Sequence, residues 1–394
     1  MGQVYVVGTA DTKGEELAFV SERIRQLGGS PLVVDVGTRP PKIVPDIAAD
    51  TIAAFGPPGL RSGTDRGEAV AGMAAAFARF IVTSADIVGI IGIGGGGGTS
   101  IATAGMRALP LGVPKLMVST LASGDTSAFV DVSDIIMMPA ITDLAGLNRI
   151  SRVVLSRAAE AITAMSATPA AFTGGKPAIG LTMFGVTTPA VTQIIERLSA
   201  RFEPIVFHAT GTGGRTMEKL VTEGQLTGVL DITTTEVADL LFGGVLPATR
   251  DRLDCIAQTG IPYVGSVGAC DMINFWARNT VPERFADRRF YQHNANVTLM
   301  RTTAEECRAI GEWVGGKLNA CNGPVRLLLP ERGVSALDIA GGAFWDPAAD
   351  AALFDALERT IVPTAARQVI RLPAHINDAA FAQAATDAFL EIMP

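Results

Sequence analysis

Lysine, histidine and cysteine are all scarce in this chain of 394 residues. Of its 32 basic side chains only six are lysine, set against 39 acidic ones, and there are three histidines. The net charge of −7 excludes a global basic face, so nucleic acid is not an expected partner. The four cysteines, Cys255, Cys270, Cys307 and Cys321, form no CxxC pair and no Cys/His cluster. That spacing argues against a zinc centre and fits small buried thiols in a reducing compartment. No Gly-x-Ser-x-Gly and no His-Glu-x-x-His occurs, so neither a nucleophile elbow nor a zinc helix is expected. The amino terminus carries no basic segment ahead of its first apolar run, which points to a cytoplasmic protein. The longest uncharged window, residues 87–106, has eight glycines among twenty residues, a composition for strand, loop and helix start. A membrane helix there is excluded, and no membrane partner is expected.

What is present is apolar residues, 48% of the chain, and 43 glycines, with only 18% charged residues. This rules out a disordered chain and supplies cores for two domains or three. The organisation reads twice. Residues 4–7 form a β-branched run ending in Gly8; Leu17, Val20, Ile24 and Leu27 then recur at helical spacing before a second run at 32–36. Residues 178–183, 187–200 and 204–207 repeat that strand–helix–strand plan. The parallel continues through 86–91 and 228–232, then through 114–118 and 262–264. The alternation predicts an α/β fold: two tandem doubly wound, Rossmann-like subdomains with parallel sheets and a cleft between them. The boundaries expected are 1–166, a linker at 167–176 rich in Thr, Pro, Gly and Ala, and 177–394, with a long helix at 147–165 closing the first half. From about Ala336 the chain is Ala/Asp-rich and reads as a helical extension across one domain.

In such sheets ligands bind beyond the carboxyl ends of the strands. The first strand is followed by Gly8, Thr9, Ala10, Asp11, Thr12, Lys13 and Gly14, which offer small residues, hydroxyls, a carboxylate and one of the six lysines. A helix N-terminus there favours an anion. The third strand is followed by Gly94, Gly95, Gly96, Gly97, Gly98 and Thr99. This run contains G-x-G-x-x-G, but the next strand ends in Ser119 and Thr120, not in the acid that a dinucleotide fingerprint requires, so NAD is disfavoured. A mononucleotide phosphate chain fits better. Asp35 ends the second strand, where it could accept from ribose hydroxyls. Ser119, Thr120 and Asp125 belong to a small polar loop suited to phosphate or to hydrated Mg²⁺. In the second half, Thr210, Gly211, Gly213, Gly214 and Arg215 follow His208 and open a helix, while Asp231, Glu236, Asp271 and Asn274 sit at later strand ends. Those residues could hold a phosphate or carboxylate and supply an acid or base. Arg288, Arg289 and residues 293–296 could cover the cleft or contact a ligand, with plain packing as the default.

Eight motifs then carry a resemblance: residues 8–13, 92–99, 118–124, 143–151, 183–189, 207–215, 228–236 and 293–301. In this order they resemble the UPF0261 family of Tm-1-like ATP-binding proteins, over essentially the whole chain. The resemblance implies a two-subdomain protein that binds ATP with Mg²⁺ in its first subdomain, as a homodimer. Plant members carry a further carboxy-terminal barrel domain, and this chain resembles the free-standing bacterial form, so the plant proteins' antiviral role is not carried over. On this reading the chain is an ATP-dependent enzyme acting on a small polar or anionic metabolite. Lys13 would neutralise phosphate charge and Asp11 or Asp125 would hold Mg²⁺. His208, Asp231 or Glu236 would act as acid or base. Thr210, Gly211, Gly213, Gly214, Arg215, Asp271 and Asn274 would bind the metabolite. Two alternatives stay open: a nucleotide-gated binding module without turnover, and an enzyme of sugar-acid metabolism that uses the glycine loops for a substrate phosphate or carboxylate.

Overall fold

A computed structural model describes residues 2–60, 65–168 and 175–393. Most of the linker expected at 167–176 lies outside those residues. The chain divides into two compact units at residues 173 and 174.

In the first unit the elements run β1 (Gln3–Gly8), α1 (Gly14–Gln26), β2 (Pro31–Asp35), α2 (Ala49–Ala53), α3 (Arg66–Ile81), β3 (Ile87–Gly94), α4 (Gly96–Ala108), β4 (Lys115–Ser119), α5 (Ser127–Val130), β5 (Ile135–Pro139) and α6 (Arg149–Ala167). The strands form one parallel sheet of order β2-β1-β3-β4-β5. Both of its faces are covered. Leu17, Val20 and Ile24 of α1 and Leu155 and Ile162 of α6 bury one face; Met73 and Phe77 of α3 and Ile101 and Met106 of α4 bury the other. This double covering is why the strands are nearly continuous apolar runs. Asp65 caps α3 by accepting from Glu68 N–H at 2.9 Å, and Asn148 caps α6 in a reciprocal box with Ser151. Strand order reverses between β1 and β3. Gly8 is paired with Asp35 on one side and Ile93 on the other, so the loops leaving β1, β2 and β3 emerge side by side.

The second unit continues β6 (Ala178–Met183), α7 (Thr188–Leu198), β7 (Glu203–His208), α8 (Thr212–Thr222), β8 (Gly228–Thr233), α9 (Thr235–Phe242), α10 (Asp254–Thr259), β9 (Tyr263–Gly268), β10 (Met272–Phe275), β11 (Phe290–Asn294), β12 (Val297–Arg301), α11 (Ala304–Asn319), β13 (Val325–Pro330), α12 (Pro347–Thr360), β14 (Arg367–Leu372) and α13 (Ala379–Ile392). Its parallel sheet has the order β7-β6-β8-β9-β13-β14, the same winding as the first, with the reversal between β6 and β8. The stretch beyond Ala336 is largely helical, as expected, through α12 and α13, but it also supplies the edge strand β14 and so belongs to the sheet. Residues 288–296 fall in and beside a small antiparallel sheet, β10-β12-β11, where Arg288 is ion-paired with Glu306, in keeping with plain packing. Among the described residues no helix is long and apolar enough to cross a membrane.

Candidate functional site

At the strand-order reversal of the first unit lies a cavity of about 500 Å³. Its walls come from three loops and a helix start: Thr9, Asp11, Thr12 and Lys13 after β1; Val36, Thr38 and Arg39 after β2; Gly95, Gly96, Gly97 and Gly98 after β3; and Asp65 and Arg66 at the start of α3. Ala69 and Val70 add apolar surface, with Ile101 buried behind them. Reversal points of this kind are where doubly wound sheets bind ligands. Three cationic side chains face two carboxylates in this lining, a balance that favours an anionic ligand.

The glycines are the informative part. None of residues 94–98 has a positive φ. A Cβ at Gly94 would sit 2.9 Å from Gly98 backbone, so packing explains that one. Beyond it the constraint disappears. The nearest atoms to a Cβ at Gly95, Gly96, Gly97 and Gly98 would be 3.6, 3.8, 3.4 and 3.7 Å away, ordinary contact or open space. Glycine in a helix costs about 0.5–1 kcal/mol relative to alanine. Neither conformation nor packing requires that cost here, and the side chains it omits would project into or beside the cavity. The cap residue Gly95 also lacks a side-chain cap, which leaves the α4 N-terminus to backbone N–H groups alone.

The loops themselves are held firmly. Asp35 is 1% exposed, and its Oδ1 accepts from Ala10 N–H at 2.9 Å and Gly37 N–H at 2.8 Å. Those bonds clamp the β1 loop to the β2 loop, and Asp35 is not part of the cavity wall, so it is a loop clamp and not a ribose acceptor. Thr99 and Ser119 are likewise withdrawn from ligand contact, since their buried hydroxyls bond each other at 2.7 Å. Thr120 is exposed next to Gly95. Gly8 packs under the loop: a Cβ there would meet Ile93 O at 2.9 Å. Lys13 lines the cavity and donates to Leu144 O.

Asp11 lines the cavity too, and its Oδ1 is buried without a hydrogen-bond partner. That is the donor a hard cation needs. Asp125 is not placed to share it. It is exposed, lies outside the cavity wall and accepts from Ser127 N–H at 2.9 Å, the bonding to Ser127 that holds its carboxyl below the usual range. Among the described residues no three His, Cys, Asp or Glu side chains converge as a metal site. A Mg²⁺ ion here would therefore depend on the oxygens of its ligand, with Asp11 as the protein donor, which is how Mg²⁺ commonly accompanies phosphates.

The second unit repeats the winding but fills the corresponding position. Arg252 reaches Asp231 at 2.7 Å, Glu236 at 2.6 Å and Glu218 at 3.0 Å, and Tyr263 Oη donates to Asp231 at 3.0 Å. Asp231 and Glu236 are 0% exposed. Burial pushes the Glu236 and Glu218 carboxyls up against the pull of Arg252. Burial opposes the Arg252 charge, but Asp231, Glu236 and Glu218 hold it well above its ordinary value. The acid or base role expected of Asp231 and Glu236 thus gives way to an ion cluster closed to solvent. The glycines differ in kind from those of the first unit. Gly211 has φ +76° and a Cβ would lie 2.3 Å from Pro247 O; at Gly213 it would lie 1.8 Å from His208 O, and at Gly214 2.0 Å from Glu236 Oε1. They allow close packing, and no open cradle results.

Asp271 and Asn274 are also fully buried. Ser335 Oγ donates to Asp271 at 2.8 Å, and burial together with Asp338 pushes the Asp271 carboxyl up to about 7. Asn274 bonds Asp239 and Thr235. Neither is open to a metabolite, contrary to expectation. Thr210 donates to His208 O at 3.3 Å, and Arg215 is half-buried in the first turn of α8. His208 is exposed at the end of edge strand β7, 5.2 Å from the Phe184 ring, and the desolvation there lowers its pKa. All four cysteines are buried free thiols.

Sequence reasoning missed Thr38, Arg39, Asp65, Arg66 and Arg252. The first two follow a strand end and could have been found by extending the loop rule to β2. Asp65 and Arg66 reach the cavity only because α3 packs along α4, and no sequence spacing encodes that.

The family model described as "Uncharacterised protein family (UPF0261) N-terminal domain" matches residues 2–171, and the corresponding C-terminal domain model matches residues 176–393. A UPF0261 protein of Rhizobium meliloti is 65% identical over 100% of this chain and 99% of its own. One from Clostridium tetani is 44% identical over 99% of both chains. The ToMV resistance protein Tm-1(GCR237) of Solanum lycopersicum is 42% identical over 100% of this chain, which spans 56% of that protein. Among solved structures, that of MurG from Acinetobacter baumannii aligns with 100% of this chain and 91% of its own at 13% identity; its TM-score of 0.24 carries no argument.

Proposed function

The chain belongs to the UPF0261 family, and from that premise and the cavity of its first unit we propose that it binds a nucleotide through the phosphates, with Mg-ATP as the ligand. The observation that carries this reading is the row Gly95–Gly98, four glycines that neither φ nor packing requires, at an uncapped helix N-terminus. Phosphate oxygens accept from such N–H groups and are favoured by the helix dipole. Lys13, Arg39 and Arg66 supply positive charge, and Ala69 and Val70 supply apolar surface for an uncharged ring. Mg²⁺, when bound, would neutralise phosphate charge; Asp11 is the side chain to hold it.

Of the three uses left open by the sequence, binding that gates a response has the best support. The second unit's acids, which would have argued for metabolite chemistry, are engaged in ion pairs and hydrogen bonds away from solvent. A thermal-shift series with ATP, ADP, NAD and phosphate, each with and without Mg²⁺, tests the assignment. A ligand at 100 times its dissociation constant stabilises by about 2.7 kcal/mol, a shift of a few degrees for a chain of this size. The expected result is a shift with ATP that Mg²⁺ enlarges. A shift with phosphate alone, and none with ATP, would move the assignment to the sugar-acid alternative.

A further inference from the structure

The loop after β5, residues 140–148, is tied to the start of α1, whose cap residue Lys13 lines the cavity. Three contacts do this. Lys13 donates its ammonium to Leu144 O. Glu16, itself buried, accepts from Gly146 N–H at 2.9 Å. The Leu144 side chain belongs to the core that includes Ala10 and Leu17. The loop is otherwise unfavourable to order. Ile141 is a β-branched residue at φ +66° and is 73% exposed, so its conformation is strained and its side chain gains little from burial.

Lys13 is common to both structures: it lines the cavity and holds the loop. An ammonium has three donors, and a carbonyl engages one. A second donor can be given to an anion in the cavity while the first stays on Leu144 O, and a charge-assisted bond of that kind fixes the side chain more strongly than the carbonyl alone. Leu144 stays anchored by its buried side chain, so anion binding tightens the loop and does not release it.

We infer that Lys13 couples occupancy of the cavity to the order of residues 140–148, so that the bound anion stiffens a loop it does not touch. The inference rests on the proposed phosphate reading of the cavity. It makes Lys13 a positioning residue for the loop as well as a partner for the ligand.

Hydrogen exchange read by mass spectrometry on the full chain tests it, with binding measured in parallel by calorimetry. The probes are Mg-ATP and inorganic phosphate. In the wild-type protein, saturation by a probe that binds should slow exchange in the peptide covering 141–148 by about fivefold, the worth of one hydrogen bond. In ligand-free Lys13→Met, exchange there should quicken by about the same factor, while amides of β3 stay protected and report that the unit is folded. Lys13→Arg, which keeps the charge and donors, should restore part of the protection. Heat of binding without slower exchange at 141–148 overturns the coupling alone, as does unchanged exchange in ligand-free Lys13→Met. No heat from either probe overturns the phosphate reading and the coupling with it.

Discussion

Arg252 Nη2 donates to Asp231 Oδ2 at 2.7 Å, and neither side chain is more than 1% exposed. The same guanidinium also pairs with Glu236 and Glu218, so one cation holds three acids from α8, β8 and α9 together. Removing one partner from a buried pair leaves an uncompensated charge and costs about 3–5 kcal/mol. Arg252→Met should therefore destabilise the protein by at least that much in urea unfolding. An equally stable variant would mean that the cluster is not the closed network described.

Gly97→Ala should act in the opposite sense. A Cβ there would lie 3.4 Å from Val70 Cγ2, and the backbone needs no positive φ. In the first turn of α4 the alanine should leave stability unchanged or raise it by up to about 1 kcal/mol, measured by denaturant midpoint. A loss of several kcal/mol would show a packing demand that the geometry lacks, and the glycine row would no longer argue for a ligand.

Asp35→Ala tests the clamp. Two buried N–H groups, of Ala10 and Gly37, would lose their acceptor, at a cost of about 1–3 kcal/mol each. Nucleotide affinity should fall because the β1 and β2 loops are no longer held together. The ratio of ATP to dATP affinities should stay unchanged, since Asp35 is not in the cavity wall. A change in that ratio would return Asp35 to the ribose.

A pH dependence follows from Asp239. Burial pushes its carboxyl up to about 7, against the bonds it accepts from Asn274 and Leu246 N–H. A raised acid binds its proton more tightly folded than unfolded. Its stabilising contribution is therefore full below the ordinary carboxylate range near pH 4 and is lost as pH rises through 7, with a slope of up to about 1.4 kcal/mol per pH unit. Asp239→Asn should flatten stability against pH across that window. An unchanged slope between pH 5 and 7 would contradict the assignment.

The fold was legible because its signals are local. The β-branched runs, the apolar spacing of Leu17, Val20 and Ile24 and the repeated strand–helix–strand plan all survive in the structure. The first-unit loops were legible for the same reason: they follow strand ends directly. Asp231, Glu236, Asp271 and Asn274 were misread because a strand-end acid looks alike in sequence whether it faces solvent or a buried partner. Arg252 lies 21 residues from Asp231 and 16 from Glu236, and only the tertiary fold brings it to them. The two glycine-rich loops also read alike. What separates them is the space around each Cα, open at Gly96 and closed at Gly213.

The most direct measurement is a calorimetric titration of the wild-type chain and Gly97→Ala with ATP in Mg²⁺. The account predicts one nucleotide bound per chain, weakened by about tenfold or more, roughly 1.4 kcal/mol, in a variant as stable as its parent. Equal affinity in the two proteins, or no binding to the wild type, would contradict the claim that the open glycine row is there for a phosphate.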